Sequence, residues 1–548
     1  MPRVLLLLPS CLLLALASAS VVGADGVPVT PLPAEAQARP HVGSDARGGA
    51  MISYKTASLR LGSVHVDRSG IPDGGFALEP LIPPFLIEAN EPLRAVVPSD
   101  SQIVFVADRA SNSAPALTRL RSSGTPSGSF PVALPMPMRR PASVRGLAGR
   151  TLLIAKDSDG VSFWTLRAAI VGPDGGLEFS VELPSLLQFF MADAIDACSD
   201  GAGGLLAAVP YYDLASTGSK DIAVFRLAAD GSRPWGDLAR PLVIATRDQT
   251  DVRVAEDGQG GMLLVWTDPR SATRSTDIFA HHVDVNGDRM AGWQFYGSPI
   301  CDAFGAQSQP RITRDGLGGV WIAWLDQRNE LAGDLRYTHL LGNGELAPGF
   351  TSTGAVLCEA PGAQAEAAIV GDGAGGFYAV WRDDRSGSGD IYVHHVSATG
   401  SIAAGWQANG RALCVAPGVQ DQPAIAAVNG ARAVIAWRDA RSSTARIYSA
   451  GINDPSTTDV SYREVPGVRL EAMPGSPGLA RVRVALAEPG DAVLELLDVA
   501  GRSWSRQFLR GPLPAQELTL GDAPAAGLYF ARLCQGGRQV AARITVLR

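Results

Sequence analysis

Residues 372–396 read DGAGGFYAVWRDDRSGSGDIYVHHV and set Asp383, Asp384, Arg385, Asp390, His394 and His395 within a few positions of one another. Paired carboxylates beside an arginine are the parts of general acid and base hydrolysis, and neighbouring carboxylates and imidazoles are the parts of a metal site. Either chemistry needs one constellation in one place. Here the parts recur: DGxGG turns begin at Asp200, Asp257, Asp315 and Asp372, with a degenerate Asn429-Gly430 after them, in steps of 57 or 58 residues. A W-x-D-x-R segment follows the later turns as Trp266, Asp268, Arg270; Trp324, Asp326, Arg328; Trp381, Asp383, Arg385; and Trp437, Asp439, Arg441, and decays to Tyr211 and Asp213 in the copy at Asp200. A residue type present in every unit is explained by what every unit must do. The Trp is expected to fill the space between neighbouring units, and the Asp and Arg at the strand end to pair with each other or with an adjacent turn.

The other reactive side chains follow the same period. His281-His282 and His394-His395 are equivalent, but the copy between them is Thr338-His339, and strand alternation sends adjacent side chains to opposite faces, so one pair cannot chelate one ion. DVNGD (284–288) resembles the start of a calcium loop, yet its equivalents AADGS, LGNGE and SATGS do not keep the acidic residues, and a hairpin turn explains all four. A zinc site would need several units to converge, so no cofactor is expected, and calcium is the metal alternative. Cys301, Cys358 and Cys414 occupy one repeated position, too far apart in neighbouring units for disulfides, and read as small buried residues. No G-x-S-x-G, no H-E-x-x-H and no phosphate-cradling loop occurs.

The elements that carry these residues are strands. In one unit PRITRD, GVWIAWLD, DLRYTHLL and GAVLCEAP are short, rich in β-branched and aromatic residues and separated by Asp-Gly and Asn-Gly reversals, which describes a four-stranded propeller blade. Shorter diverged blades are expected at 101–124 and 150–176, and further units near 189, 249, 308 and 364. A last blade from Gln422 runs out near 452, with residues 58–82 expected to supply its missing outer strands. This gives an all-β fold: a propeller of seven blades, with six or eight as alternatives, over 50–452, a linker at 453–466 and a small sandwich at 467–548.

Glycine (61) and proline (38) are abundant and charged residues make up 18%, as many turns require. Arg3, the apolar run VLLLLPSCLLLALA and small residues near Ala24 form a secretory signal peptide over 1–24, so the chain is expected to be exported, secreted or held at the outer surface. No later stretch has about 18 uninterrupted apolar residues, so no membrane span is expected. A net charge of −7 argues against nucleic acid as a partner.

In the tail, LELLDVAGR (494–502), AAGLYFARL (525–533) and the ending RQVAARITVLR resemble the immunoglobulin-like domain shared by flagellar hook-capping proteins and type IX secretion sorting domains. The Trp-Asp-Gly segment of the hook-capping version is missing, which favours the sorting version. The resemblance implies a role in export and surface attachment, with the export machinery as partner. The repeats are also similar to those of exported bacterial propeller proteins that carry such a tail.

These observations lead to a non-enzymatic propeller that presents a face to an extracellular glycan or protein. The rival is a hydrolase or lyase of polysaccharide, whose carboxylates would be unrepeated acidic residues near inner strands: Asp193, Asp196 and Asp251.

Overall fold

The computed structural model describes residues 26–29, 36–44, 48–57, 61–72, 94–96, 102–107, 116–121, 132–133, 139–158, 164–183, 195–212, 218–271, 275–428, 432–453, 468–472, 479–498, 503–522, 527–535 and 538–546. The signal segment 1–24, the linker beyond Asn453, Asp193, Asp213 and the turn at Asn429-Gly430 lie outside them. The chain divides into two compact units, one spanning Val21–Ser456 and the other containing Thr457–Arg548.

The first unit is a β-propeller. The strand pattern read from one repeat is the strand pattern found: Gln307–Arg314, Val320–Asp326, Asp334–Leu340 and Ala355–Cys358 pair in that order as an antiparallel sheet. Among the described residues eight such sheets occur, numbered here as blades in chain order: 37–66, 94–133, 139–183, 196–243, 250–301, 307–358, 364–414 and 420–453. The first strand of each blade packs against the first strand of the next, and that of blade 8 (Gln420–Val428) against that of blade 1 (Gln37–Ser44), so the ring closes.

The count is the eight that stood as an alternative to seven, and the ends meet otherwise than expected. Residues Gln37–Ser44, Ala50–Thr56 and Leu61–Val66 make a three-stranded blade of their own. The outer strand of blade 8 is instead Val27–Pro28, which pairs with Ser449 and Tyr448. The register is that of an ordinary outer strand, since Ser298 and Pro299 pair in the same way with Ala280 and Phe279 in blade 5. The misreading has a physical cause: two residues carry no periodicity, whereas 58–82 carries a visible strand.

Apolar alternation on each blade buries one side against each neighbour. Trp266 shares a core with Leu206, Ile222 and Val243 of blade 4, Trp324 with Leu263 and Ile278 of blade 5, Trp381 with Leu335 and Leu357 of blade 6, and Trp437 with Val380 and Ile391 of blade 7. Each ring therefore fills the gap to the preceding blade, where burial of so large a side chain contributes several kcal/mol, on the order of 3–5 by truncation. A glycine with positive φ covers each ring: Gly297, Gly354, Gly410 and, across the chain closure, Gly26. A Cβ there would stand 2.2–2.3 Å from the Trp ring, so only glycine fits.

The second unit is an antiparallel sheet whose strands Leu479–Asp498 and Ser503–Asp522 run 20 residues each, flanked by Val468–Ala472, Gly527–Gln535 and Arg538–Val546. A sandwich was expected over 467–548; among the described residues the strands form this one sheet, whose ladder continues past Pro489-Gly490 through a register shift between Leu486 and Gly490, with Gly490 opposite Gly511. Such bulges bend a strand without ending it. Residues on both sides of the shift, Val482, Val484 and Leu486 and then Ala492, Leu494 and Leu496, share one core with Leu470, Leu520, Ala531 and Leu533.

Candidate functional site at the mouth of the central channel

The residues that first suggested chemistry are occupied within their own blades. Asp268, Asp326, Asp383 and Asp439 are fully buried, and each accepts a hydrogen bond at Oδ2 from the indole N–H two residues before it, at 2.8, 3.0, 2.8 and 3.1 Å. The backbone N–H of Arg270, Arg328, Arg385 or Arg441 donates to Oδ1, and the guanidinium closes an ion pair at 2.5–2.7 Å. Burial pushes the Asp326 carboxyl up, but the Arg328 and Trp324 hydrogen bonds outweigh it and hold it below the usual range. The structure thus brings each Trp, Asp and Arg together as one latch per blade and keeps the four latches apart.

The cysteines tie these latches into the ring. Cys301, Cys358 and Cys414 lie at the ends of outer strands, and each sulfur meets the arginine of the next blade: Arg328 Nη2 at 3.3 Å, Arg385 Nη2 at 3.1 Å and Arg441 Nη2 at 3.2 Å. Burial pushes the Cys301 and Cys358 thiols up to about 11 and about 12, so neither is a nucleophile at neutral pH.

The histidines form a second latch that the sequence pattern conceals, because the partners are some 25 residues apart. In each DGxGG turn the Asp Oδ1 accepts two backbone N–H groups, as Asp257 does from Gln259 and Gly261. Its Oδ2 faces a histidine of the third strand: His282 Nε2 at 3.0 Å from Asp257, His339 at 2.8 Å from Asp315 and His395 at 2.9 Å from Asp372. In blade 4, Arg226 takes that place against Asp200 at 2.9 Å. Burial raises Asp257 and Asp372, but the histidine and backbone hydrogen bonds win and both carboxyls end below the usual range. His281 and His394 point the other way and are buried, which pushes each imidazole down to about 4.

With these residues accounted for, the first strands that line the channel carry the unexplained chemistry. Five of them share a feature that composition hides: a non-glycine residue with φ of 53–55° inside a bulge, at Arg39, Asp251, Gln309, Glu366 and Gln422 on blades 1, 5, 6, 7 and 8. That backbone region costs a side-chain-bearing residue on the order of 1–3 kcal/mol and is concentrated at functional sites. Two residues earlier stands a buried glutamine in all five, Gln37, Gln249, Gln307, Gln364 and Gln420. In blades 5 to 8 its amide donates to carbonyls of the preceding link, for example Gln364 to Ala360 O at 2.9 Å. The Gln-x-x step is the signal that could have revealed both the bulges and blade 1.

The bulges also touch one another. Glu366 Oε2 accepts the backbone N–H of Gln422 at 2.5 Å, and Gln422 Oε1 accepts that of Arg39 at 2.7 Å. Of the acidic candidates, Asp251 occupies one bulge and Asp196 the adjacent first strand of blade 4, where its Oδ2 accepts the Val254 N–H at 3.0 Å. Two residues past the bulges stand Arg253 and Arg311, at a position that blades 7 and 8 fill with Ala368 and Ala424. Among the described residues no group of three His, Cys, Asp or Glu side chains is placed to hold a metal ion.

No protein family matches the chain, and no curated protein does. Solved structures are similar to it: a lectin from Burkholderia pseudomallei, at 14% identity and a TM-score of 0.43, covering 67% of this chain and 98% of the lectin. An endo-arabinase from Bacteroides thetaiotaomicron gives 11%, 0.27, 48% and 99%, and the NanB sialidase from Streptococcus pneumoniae 8%, 0.30, 76% and 94% in the same terms. At these scores they bear on neither ligand nor reaction, and the propeller architecture rests on the sheet order and ring closure above.

Proposed function

We propose that this protein is an exported glycan-binding propeller whose binding face is the mouth of the central channel. One observation carries the reading: the polar residues repeated in every unit are consumed in latches, whereas five strained bulges on the inner strands carry carboxylate, amide and guanidinium residues that vary among blades, two of them, Glu366 and Gln422, bridging to the next bulge. Fixed planar hydrogen-bonding groups around an opening suit the paired hydroxyls of a sugar, and a small set of convergent polar groups on a rigid scaffold is what a specific site requires. The test is a glycan array probed with the mature full-length chain, followed by Gln309→Gly and Asp251→Gly on any hit. Glycine relieves the positive φ, so thermal stability should hold while binding falls about tenfold or more. Unchanged binding by both variants would sink the reading.

A second reading, hydrolysis of the bound glycan, draws on the carboxylates of Asp196, Asp251 and Glu366, which stand on inner strands. Release of reducing ends from an array hit would establish it. The C-terminal unit is proposed to serve export and surface attachment. Removing residues 467–548 is then expected to leave a folded propeller that no longer fractionates with the cell surface, and retained attachment would count against that role.

A further inference from the structure

We propose that Arg253 and Arg311 form an anion subsite in the channel that takes the carboxylate of an acidic, uronic-acid-bearing glycan, an inference that rests on the glycan-binding reading above. The two arginines occupy one register position on neighbouring blades, opposite Val265 and Ala323 of the second strands. At that position the consecutive blades 4 to 8 carry Asp196, Arg253, Arg311, Ala368 and Ala424. Charge is thus gathered on three adjacent blades, and the next two carry only methyl groups at this position.

Every arginine of the W-x-D-x-R latches has its carboxylate within 2.7 Å. Arg253 and Arg311 have none within 4.0 Å among the described residues. They are held instead by carbonyls: Arg311 Nε donates to Ala367 O at 2.8 Å and Nη1 to Pro310 O at 3.0 Å, while Arg253 Nη1 donates to Val252 O at 2.7 Å. Carbonyl bonds fix the direction of a guanidinium without neutralising it, and the outer edges of both forks, Nη2 of each, are left for a ligand. Burial, with the neighbouring Arg253 charge adding to it and the Asp251 and Asp196 charges opposing it, brings the Arg311 guanidinium down to about 10, still charged at neutral pH. Two like charges at one register position of adjacent blades are relieved by a bidentate anion, and a carboxylate matches the planar fork. A neutral sugar leaves them unpaired.

The experiment uses the mature full-length chain on an array carrying uronic-acid-bearing and neutral oligosaccharides, with calorimetric titration of the hits, of neutral oligosaccharides of equal length and of inorganic phosphate. Acidic glycans should bind about tenfold or more tightly than neutral ones, and the affinity should weaken with salt. Arg253→Gln and Arg311→Gln should each lower the affinity about tenfold, with Arg311→Lys recovering only part. Arg253→Gln gives up a single bond to its neighbour's carbonyl, so it keeps the test open should Arg311→Gln fail to fold. Neutral glycans binding as tightly as acidic ones, or full affinity in Arg253→Gln, would overturn the subsite and leave the glycan-binding reading standing. Phosphate displacing the acidic glycan at equal affinity would make this a general anion site and overturn the carboxylate assignment. Binding of no glycan would overturn both readings.

Discussion

Acidification from pH 7 to pH 5 should strip several kcal/mol from the propeller through two side chains, His281 and His394. Both are fully buried beside large aromatic rings, His281 stacked 6.1 Å from Trp293 and His394 6.3 Å from Trp406 between centroids. Burial is the main cause that pushes each imidazole down to about 4, with the neighbouring His282 and Arg289, or His395, adding to it. The unfolded chain takes up a proton near pH 6.5, whereas the folded ring resists until about 4. The stability is therefore complete above 6.5 and lost as the pH falls toward 4. At about 1.4 kcal/mol per pH unit, each ring loses about 2 kcal/mol between pH 7 and 5, and the pair about 4. The latch carboxylates Asp257 and Asp372, held below the usual range, lose their contribution only at still lower pH and lie outside this window. The assay is urea unfolding by tryptophan fluorescence at pH 7, 6 and 5. The full-length chain is compared with the double variant His281→Thr and His394→Thr, which installs the residue that blade 6 carries as buried Thr338. The variant should show a pH dependence smaller by about 4 kcal/mol. Equal slopes in the two proteins would refute the assignment of the window to these rings.

Three further outcomes follow from the latches and the close contacts. Gly410 and Gly373 share a φ of 76°, but a Cβ would meet Trp381 at 2.3 Å in the first case and nothing within 4 Å in the second. Gly373→Ala should cost about 1 kcal/mol and Gly410→Ala roughly 2–3 kcal/mol more in denaturant titration. Asp383→Asn should destabilise by about 3 kcal/mol or more, because it strands a partly buried Arg385, whereas Asp384→Asn, whose pair with Arg382 is solvated on both sides, should stay within about 1 kcal/mol. The Cys301 and Cys358 thiols should escape alkylation at pH 8 in the native protein and react after unfolding, as peptide mapping will show. Native labelling at both positions would contradict their burial.

The legible part of this protein was whatever recurs. A DGxGG turn and a Trp-x-Asp-x-Arg strand end return every 57 or so residues, and local periodicity of that kind fixes blade, strand order and the inter-blade Trp without knowledge of its neighbours. Repetition also kept Asp383 and His394 from being read as one catalytic cluster. Tertiary structure decided what has no local signal. The outer strand at Val27–Pro28 and its partner Tyr448 are joined only by ring closure, and Asp257 finds His282 only once three strands have folded. The channel follows the same rule: Asp196, Arg253 and Arg311 are unremarkable in sequence and become neighbours because hydrogen-bond register, not sequence spacing, aligns first strands around a common axis. A repeat shows in sequence because every copy bears the same packing constraint, while the residues that vary on those repeated bulges leave no periodic trace because they are the positions where the copies differ.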